Sequence, residues 1–208
     1  MNLLREYVRM LLTEAAKSPA DLPQNVTVVI QTAVWAGTGG VQIHYGDPEG
    51  KYTIDYPEGS VYIVPTGRED TGPCSGAWKV SRAEADKGWG PMLYDVAMEW
   101  ATLNAGGLIA DRDAVSPEAR RVWDYYLSGR SDVTAHQLDD LKNTLTPEDE
   151  DNCAQRVAGF DVTRPAGGKY SPREKTRVEW VNSPLSKRYT KEPTVINTLR
   201  AAGRLIER

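Results

Sequence analysis

The sequence predicts an α+β fold of the α/β type, a mixed, mainly antiparallel sheet flanked by helices. Three observations support this prediction. Short β-rich segments recur between residues 26 and 81, and turns too short for helical crossovers separate them. A strand then runs through glycines into an amphipathic helix, and another short strand follows. The composition, 40% hydrophobic and 26% charged over 208 residues, is that of a globular chain.

The N-terminal residues 2–17 have the apolar spacing of an amphipathic helix. Its apolar side needs a partner surface, so we expect it to pack on its own domain or to contact another protein or a second copy. A break at 18–23 separates it from the sheet. The apolar positions are Leu3, Leu4, Tyr7, Val8, Leu11, Leu12 and Ala15.

Five β-rich segments follow, separated by turn clusters at 37–40, 46–50 and 57–60. Such close spacing favours hairpins, so the prediction is an antiparallel meander. The predicted strands are 26–33, 41–45, 52–56, 61–64 and 77–81.

The central helix begins at the glycines, because Pro91 suits a first helical turn. Asp95 and Glu99 fall outside its apolar stripe, so we expect them to be solvated. Gly106 and Gly107 supply the stop. The stripe consists of Leu93, Val96, Ala97, Trp100 and Ala101.

Residues 107–111 read as a short buried strand that pairs in parallel, because a helix precedes it. Ser116 and Pro117 then open a helix that ends at Gly129. The weaker signals beyond predict a polar helix through Leu138, Leu141 and Leu145, with His136 near its start, then strands at 157–162 and 177–181 and a helix at 194–206. We divide the chain into a domain at 1–145 and an extension at 146–208.

The charge is unevenly distributed. The segment from Arg164 onward carries 11 Lys and Arg against 4 Asp and Glu, a net +7 in a chain of net −4. A basic C-terminal extension of this kind is a solvated surface, pairs with its own domain, or contacts an acidic partner or a nucleic acid. The first two uses are the favoured ones, and the overall negative charge gives no reason to expect nucleic acid. The acidic run at 148–151 reads as a solvated loop.

The cysteines, Cys74 and Cys153, lie far apart without metal-ligand spacing, so we expect reduced thiols and no metal site. No apolar run spans a bilayer and no secretion signal is visible, which predicts a cytoplasmic protein without membrane contact. A His44–Cys74 pair like that of a cysteine hydrolase lacks a third group and is disfavoured.

The loop before the central helix carries the main functional hypothesis. A helix N-terminus presents unpaired N–H groups and partial positive charge, and glycines let a phosphate approach the backbone. Gly88 and Gly90 therefore suit a pyrophosphate. The alternative is that they form a tight turn that binds nothing.

The pattern resembles the GNAT acyltransferase superfamily, which binds acetyl-CoA at the corresponding loop. The resemblance covers about half of the chain, and GWGPMLYDVAMEWA with SPEARRVWDYY also resembles proteins of tailed bacteriophages, for which host cytoplasm or virion is the expected location. The matching residues are Lys87, Gly88, Trp89, Gly90, Leu93, Ala97, Ser116, Ala119 and Trp123.

The resemblance implies an N-acyltransferase in which an amine attacks the thioester of acetyl-CoA directly, without a covalent enzyme intermediate. Candidate catalytic residues are Tyr126, Tyr125 and Asp111. The implied cofactor-binding residues are Val80, Arg82, Lys87, Gly88, Trp89, Gly90 and Met92.

Several positions depart from the family pattern. Ala85 replaces the usual Arg or Gln, Asp86 adds a negative charge beside the loop, and Trp123 replaces the tyrosine that often serves as general acid. These departures favour the alternative of a catalytically inactive GNAT-fold protein that works through contacts, such as a phage structural or host-interaction protein.

Overall fold

A computed structural model describes residues 16–35, 38–51, 57–67, 71–141, 144–157 and 177–208. The helices are α1 (Gly90–Asn104), α2 (Pro117–Gly129), α3 (Arg177–Asn182) and α4 (Thr194–Ala201). The strands are β1 (Thr27–Trp35), β2 (Thr38–Gly46), β3 (Gly59–Pro65), β4 (Trp78–Ala85), β5 (Leu108–Ile109), β6 (Val133–Gln137), β7 (Asp139–Asp140), β8 (Asn152–Cys153), β9 (Lys187–Lys191) and β10 (Leu205–Glu207).

Eight strands form one sheet in the order β10-β1-β2-β3-β4-β5-β9-β6. The pairs β1–β2, β2–β3, β5–β9 and β6–β9 are antiparallel. The pairs β1–β10 and β4–β5 are parallel. The predicted α+β class and the parallel pairing of the strand after the central helix are therefore confirmed.

The chain divides into two compact units. The first unit comprises residues 1–64, 81–100 and 193–208, and the second comprises 65–80 and 101–192. The predicted extension 146–208 supplies α3 and β9 to the second unit and α4 and β10 to the first.

The first unit has buried apolar residues on the β1–β2 hairpin and on α1. Val28, Val29 and Ile43 are fully buried on that hairpin. Helix α1 is buried continuously from Met92 to Glu99, so Asp95 and Glu99 are buried at 7% and 0% exposure rather than solvated as expected. The reason is that α1 is covered on its polar side as well as on its apolar stripe.

The second unit is organised around α2 and the β6–β9 pair. Ser116 caps α2 as predicted, since its Oγ accepts a hydrogen bond from the Ala119 N–H at 3.1 Å. Trp123 and Tyr126 are the buried residues of this helix. Five register pairs join β6 and β9, from Val133↔Lys191 to Gln137↔Lys187.

Two predicted elements are wrong, and a third is shorter than predicted. The polar helix through Leu138 is replaced by β6 and β7, and the strand predicted at 177–181 is helix α3. The last helix ends at Ala201, because Gly203, at a φ of +65°, turns the chain into β10. Part of the turn expected at 37–40 belongs to β2.

Other predictions fall outside the described residues. The N-terminal helix lies there up to residue 15, as do the strand at 52–56 and the strand at 157–162 beyond Val157. The first part of the basic extension, 164–176, lies there too.

Cys74 and Cys153 form a disulfide across a sequence separation of 79 residues. The expectation of reduced thiols is therefore wrong. The two residues come together because β8 and the short 3-10 turn at Cys74–Gly76 are neighbours in the second unit, which no local spacing in the sequence indicates.

Candidate functional site

The candidate site is the loop that joins β4 to α1 in the first unit. Gly88 has a φ of +86°, a conformation that side chains other than glycine rarely adopt. Gly90 opens the helix, and a Cβ added there would meet only the Cβ of Ala85, at 3.7 Å. The helix N-terminus is thus approachable at Gly90.

Two hydrogen bonds between Asp86 and Glu58 hold the loop in place. The Asp86 N–H donates to the Glu58 carbonyl at 2.8 Å, and the Glu58 N–H donates to Asp86 Oδ2 at 2.8 Å. The Lys17 N–H donates to the Gly88 carbonyl at 2.9 Å. The negative charge of Asp86 therefore has a structural use, while the Lys87 side chain is exposed.

Trp89 anchors the loop in the core. Its side chain is 2% exposed, its N–H donates to the Asp86 carbonyl at 3.0 Å, and its carbonyl accepts from the Tyr45 hydroxyl at 2.7 Å. The Trp89 and Tyr45 rings meet edge to face, with centroids 5.5 Å apart. Met92 is equally buried. The Trp89 amide and the side chains of Trp89 and Met92 thus stabilise the fold. We had predicted both residues to contact the cofactor.

The two remaining predicted cofactor residues lie on β4. Val80 is buried and follows the two residues that pair with β5, Trp78 and Lys79. Arg82 is exposed and forms an ion pair with Glu84 at 2.9 Å. The register between β4 and β5 therefore ends at Lys79, before the segment that we expected to meet the pantetheine arm.

The predicted catalytic tyrosines lie on α2 in the second unit. Tyr126 is 1% exposed, and the rings of Trp123 and Tyr189 surround it with centroids 6.1 and 6.4 Å away. Tyr125 is half-buried, and the Arg130 guanidinium lies 5.9 Å from its ring centroid. Burial makes Tyr126 a core residue and leaves Tyr125 as the accessible phenol of the two.

Asp111 lies two residues after the end of β5 and is half-buried. Burial raises the pKa of its carboxyl, an effect that a hydrogen bond from the Asp113 N–H at 2.9 Å and the charge of Lys79 oppose. Asp113 itself pairs with Arg156 at 2.9 Å. The Asp111 carboxyl therefore retains a proton at higher pH than an ordinary aspartate.

Sequence reasoning did not single out Arg112, which is 1% exposed. Its guanidinium donates to the carbonyls of Ala110 and Leu185, each at 3.0 Å, and to Gln155 Oε1 at 2.5 Å. Burial lowers the pKa of this group to about 10. Arg112 thus ties the end of β5 to two distant segments.

The His44–Cys74 alternative is excluded. Cys74 is in the disulfide and has no thiol to ionise. His44 is 1% exposed, and burial, with a contribution from Arg208, lowers its pKa to about 4. His136, expected near a helix start, lies on β6 with its Nε2 3.0 Å from the Thr190 hydroxyl.

Comparisons with known proteins do not assign a family. No protein-family model matches the chain, and no curated protein or solved structure matches it either. Within the described ranges, none of the helices has the length and apolar character needed to cross a bilayer. Function is inferred below from the residues and geometry of this chain.

Proposed function

We propose that this chain binds an acyl-CoA with its pyrophosphate at the N-terminus of α1 and transfers the acyl group to an amine. One observation carries the proposal. β4 runs through Gly88 directly into the 15-residue α1, and β5, the next strand, pairs with β4 in parallel. This is the element order of the superfamily that the sequence resembles.

The loop has physical properties that favour a diphosphate. The first N–H groups of a helix lack intrahelical acceptors and carry about half a positive charge in total. Gly90 offers space at that position, and the exposed Lys87 adds a cation beside it. The loop is also rigid, since Trp89 is buried and Asp86 is paired, so little ordering accompanies binding.

The chemistry requires two proton transfers. The amine nitrogen bonds to the thioester carbonyl carbon, the C–S bond breaks, the nitrogen loses a proton and the departing thiolate gains one.

Acetyl-CoA at 100-fold its Kd is expected to raise the melting temperature by about 5 °C, through binding to the folded state alone. Gly90→Glu is expected to abolish the rise, because a carboxylate then occupies the anion position. The added side chain fits, since its Cβ meets only Ala85 at van der Waals distance. Differential scanning fluorimetry measures both values.

The control is Gly90→Gln, which matches Glu in size without its charge and retains part of the shift. Glu at a helix N-terminus does not destabilise the free protein, so the melting temperature without ligand tests the fold of the variant. An equal shift in wild type and Gly90→Glu would show that the ligand binds elsewhere. Gly88 is unsuitable for this test, because its φ of +86° strains any replacement.

A second candidate function is a contact-making protein without catalysis. Two observations on α2 favour it. Trp123 occupies the family's usual acid position and has no phenol, and the nearby Tyr126 is buried. Large apolar side chains are also exposed at Leu103, Leu141 and Val178. If 5 mM acetyl-CoA leaves the melting temperature unchanged, this second function replaces the first.

A further inference from the structure

The small parallel pair β7–β8 in the second unit places two polar side chains next to each other. Asp139 is the register partner of Asn152, and Asp140 is the partner of Cys153. Residues that are directly paired across two strands point to the same face of a sheet. The Asp139 and Asn152 side chains therefore lie side by side.

Asp139 is 1% exposed and only one of its carboxylate oxygens is satisfied. Oδ2 accepts from the N–H groups of Leu145 and Thr146 at 2.6 and 2.8 Å and from the Thr146 hydroxyl at 3.3 Å. Oδ1 is buried and accepts no hydrogen bond from the described residues. Such an oxygen is costly to bury unless a positive group faces it.

Two further side-chain oxygens, on Asn152 and Asp151, are also buried without a hydrogen-bond partner among the described residues. Asn152 is 9% exposed and uses its Nδ2 to donate to Asp149 Oδ1 at 2.8 Å, and its Oδ1 has no partner among the described residues. Asp151 Oδ1 is likewise buried and unpartnered. The Asp139 N–H donates to the Asp151 carbonyl at 3.1 Å, so Asp151 is adjacent as well.

The cluster of Asp139, Asp151 and Asn152 carries two carboxylates. No described Lys or Arg forms an ion pair with Asp139 or Asp151. All three free atoms are acceptors, and so they cannot satisfy one another.

We propose that Asp139, Asp151 and Asn152 bind a Ca²⁺ ion through these three side-chain oxygens. Carboxylate and amide oxygens are the ligands of hard cations, and Ca²⁺ accepts irregular sets that water completes. Two carboxylates match its charge. The proposed set is two aspartates and one asparagine, and the described part of the chain has no metal-ligand group of three His, Cys, Asp or Glu side chains.

The surrounding covalent structure fixes the ligands in place. Cys153 follows Asn152 directly and is disulfide-bonded to Cys74. The neighbouring Ser75 N–H donates to the Glu150 carbonyl at 2.5 Å. These links hold the loop before β8, and rigid ligands lose less freedom when an ion binds. With only two carboxylates, we expect a Kd of about 10⁻⁴–10⁻³ M.

The test compares the melting temperature of the full chain in 10 mM CaCl₂ with that in NaCl of equal ionic strength. Wild type is expected to rise by about 4 °C, and isothermal titration calorimetry is expected to give one site per chain. Asp139→Asn is expected to weaken the Kd at least tenfold. Its oxygen can still accept from Leu145 and Thr146, while its new NH₂ can donate to the neighbouring oxygens, so the variant stays folded without Ca²⁺.

Glu148→Gln is the matched control, since it removes one exposed negative charge from the same loop. It is expected to keep the wild-type response. Asp151→Asn, at a half-buried position, provides a second variant should Asp139→Asn not fold. The proposal is overturned if calcium does not raise the melting temperature of the wild type. It is also overturned if calcium raises the melting temperature of the wild type and both Asn variants equally, and water then satisfies the three oxygens.

Discussion

Replacing Cys74 and Cys153 together by serine is expected to lower the free energy of unfolding by about 4.5 kcal/mol. The bond links residues separated by 79 positions, and a cross-link of that span removes a corresponding amount of chain entropy from the unfolded state. Both sulfurs lie in fully buried residues, so the folded state also places two hydroxyls where apolar contacts existed. Urea unfolding, followed by tryptophan fluorescence, measures the loss.

Reduction of the wild-type protein provides the control. Unfolding with dithiothreitol is expected to reproduce the loss seen in the double-serine variant, which is itself insensitive to reductant. Thiol titration of the unreduced, unfolded wild type should find no free thiol, since the described cysteines are both paired. A finding of two thiols per chain contradicts the disulfide and restores the sequence-based expectation.

The disulfide also bears on the predicted location. The cytoplasmic prediction relied partly on unpaired thiols, and disulfides persist mainly in oxidising surroundings. A weak Ca²⁺ site beside the same bond is consistent with such surroundings, because sites of this affinity are filled at millimolar calcium.

The parts of the fold that local sequence determines were predictable. Pro91 and the apolar stripe located α1, and Ser116 with Pro117 located the start of α2, because caps and periodicity act within a few residues. Strands β1 to β4 followed from alternation and turn residues for the same reason. The predicted helices failed where pairing with distant residues decided the structure, as in β6, which β9 joins after a long interval in the chain.

The candidate site was predictable only in part. Gly88 and Gly90 identified the loop, but nothing in the sequence showed that Trp89 turns into the core to meet Tyr45. The sequence did not indicate the proposed Ca²⁺ ligands, because the run at 148–151 has the pattern of a solvated loop. Only the pairing of β7 with β8 shows that Asp139 lies beside Asn152. Helical periodicity likewise placed Glu99 on a solvated face, although it is fully buried.

Glu99→Ala is expected to be the second most damaging change, lowering the free energy of unfolding by about 4 kcal/mol. The Glu99 carboxylate accepts from the N–H groups of Val195 and Ile196 at 2.9 and 2.7 Å. Helix α4 has Pro193 as its N-cap residue, with no side-chain cap bond of its own. Glu99 therefore supplies from α1 the acceptor that a Ser or Asp normally supplies locally, and its negative charge faces the positive end of the helix.

Alanine would leave two buried N–H groups without their acceptor and a cavity in place of the side chain, and each effect costs on the order of 1–3 kcal/mol. Thr194→Val is the matched control, because it removes the hydroxyl bond to Glu99 Oε1, at 3.2 Å, from an exposed position and leaves the carboxylate in place. We expect it to lose less than about 1 kcal/mol. Chemical denaturation of the three proteins decides: if Glu99→Ala costs no more than Thr194→Val, the carboxylate is not the cap of α4, and the buried charge must be compensated by another group.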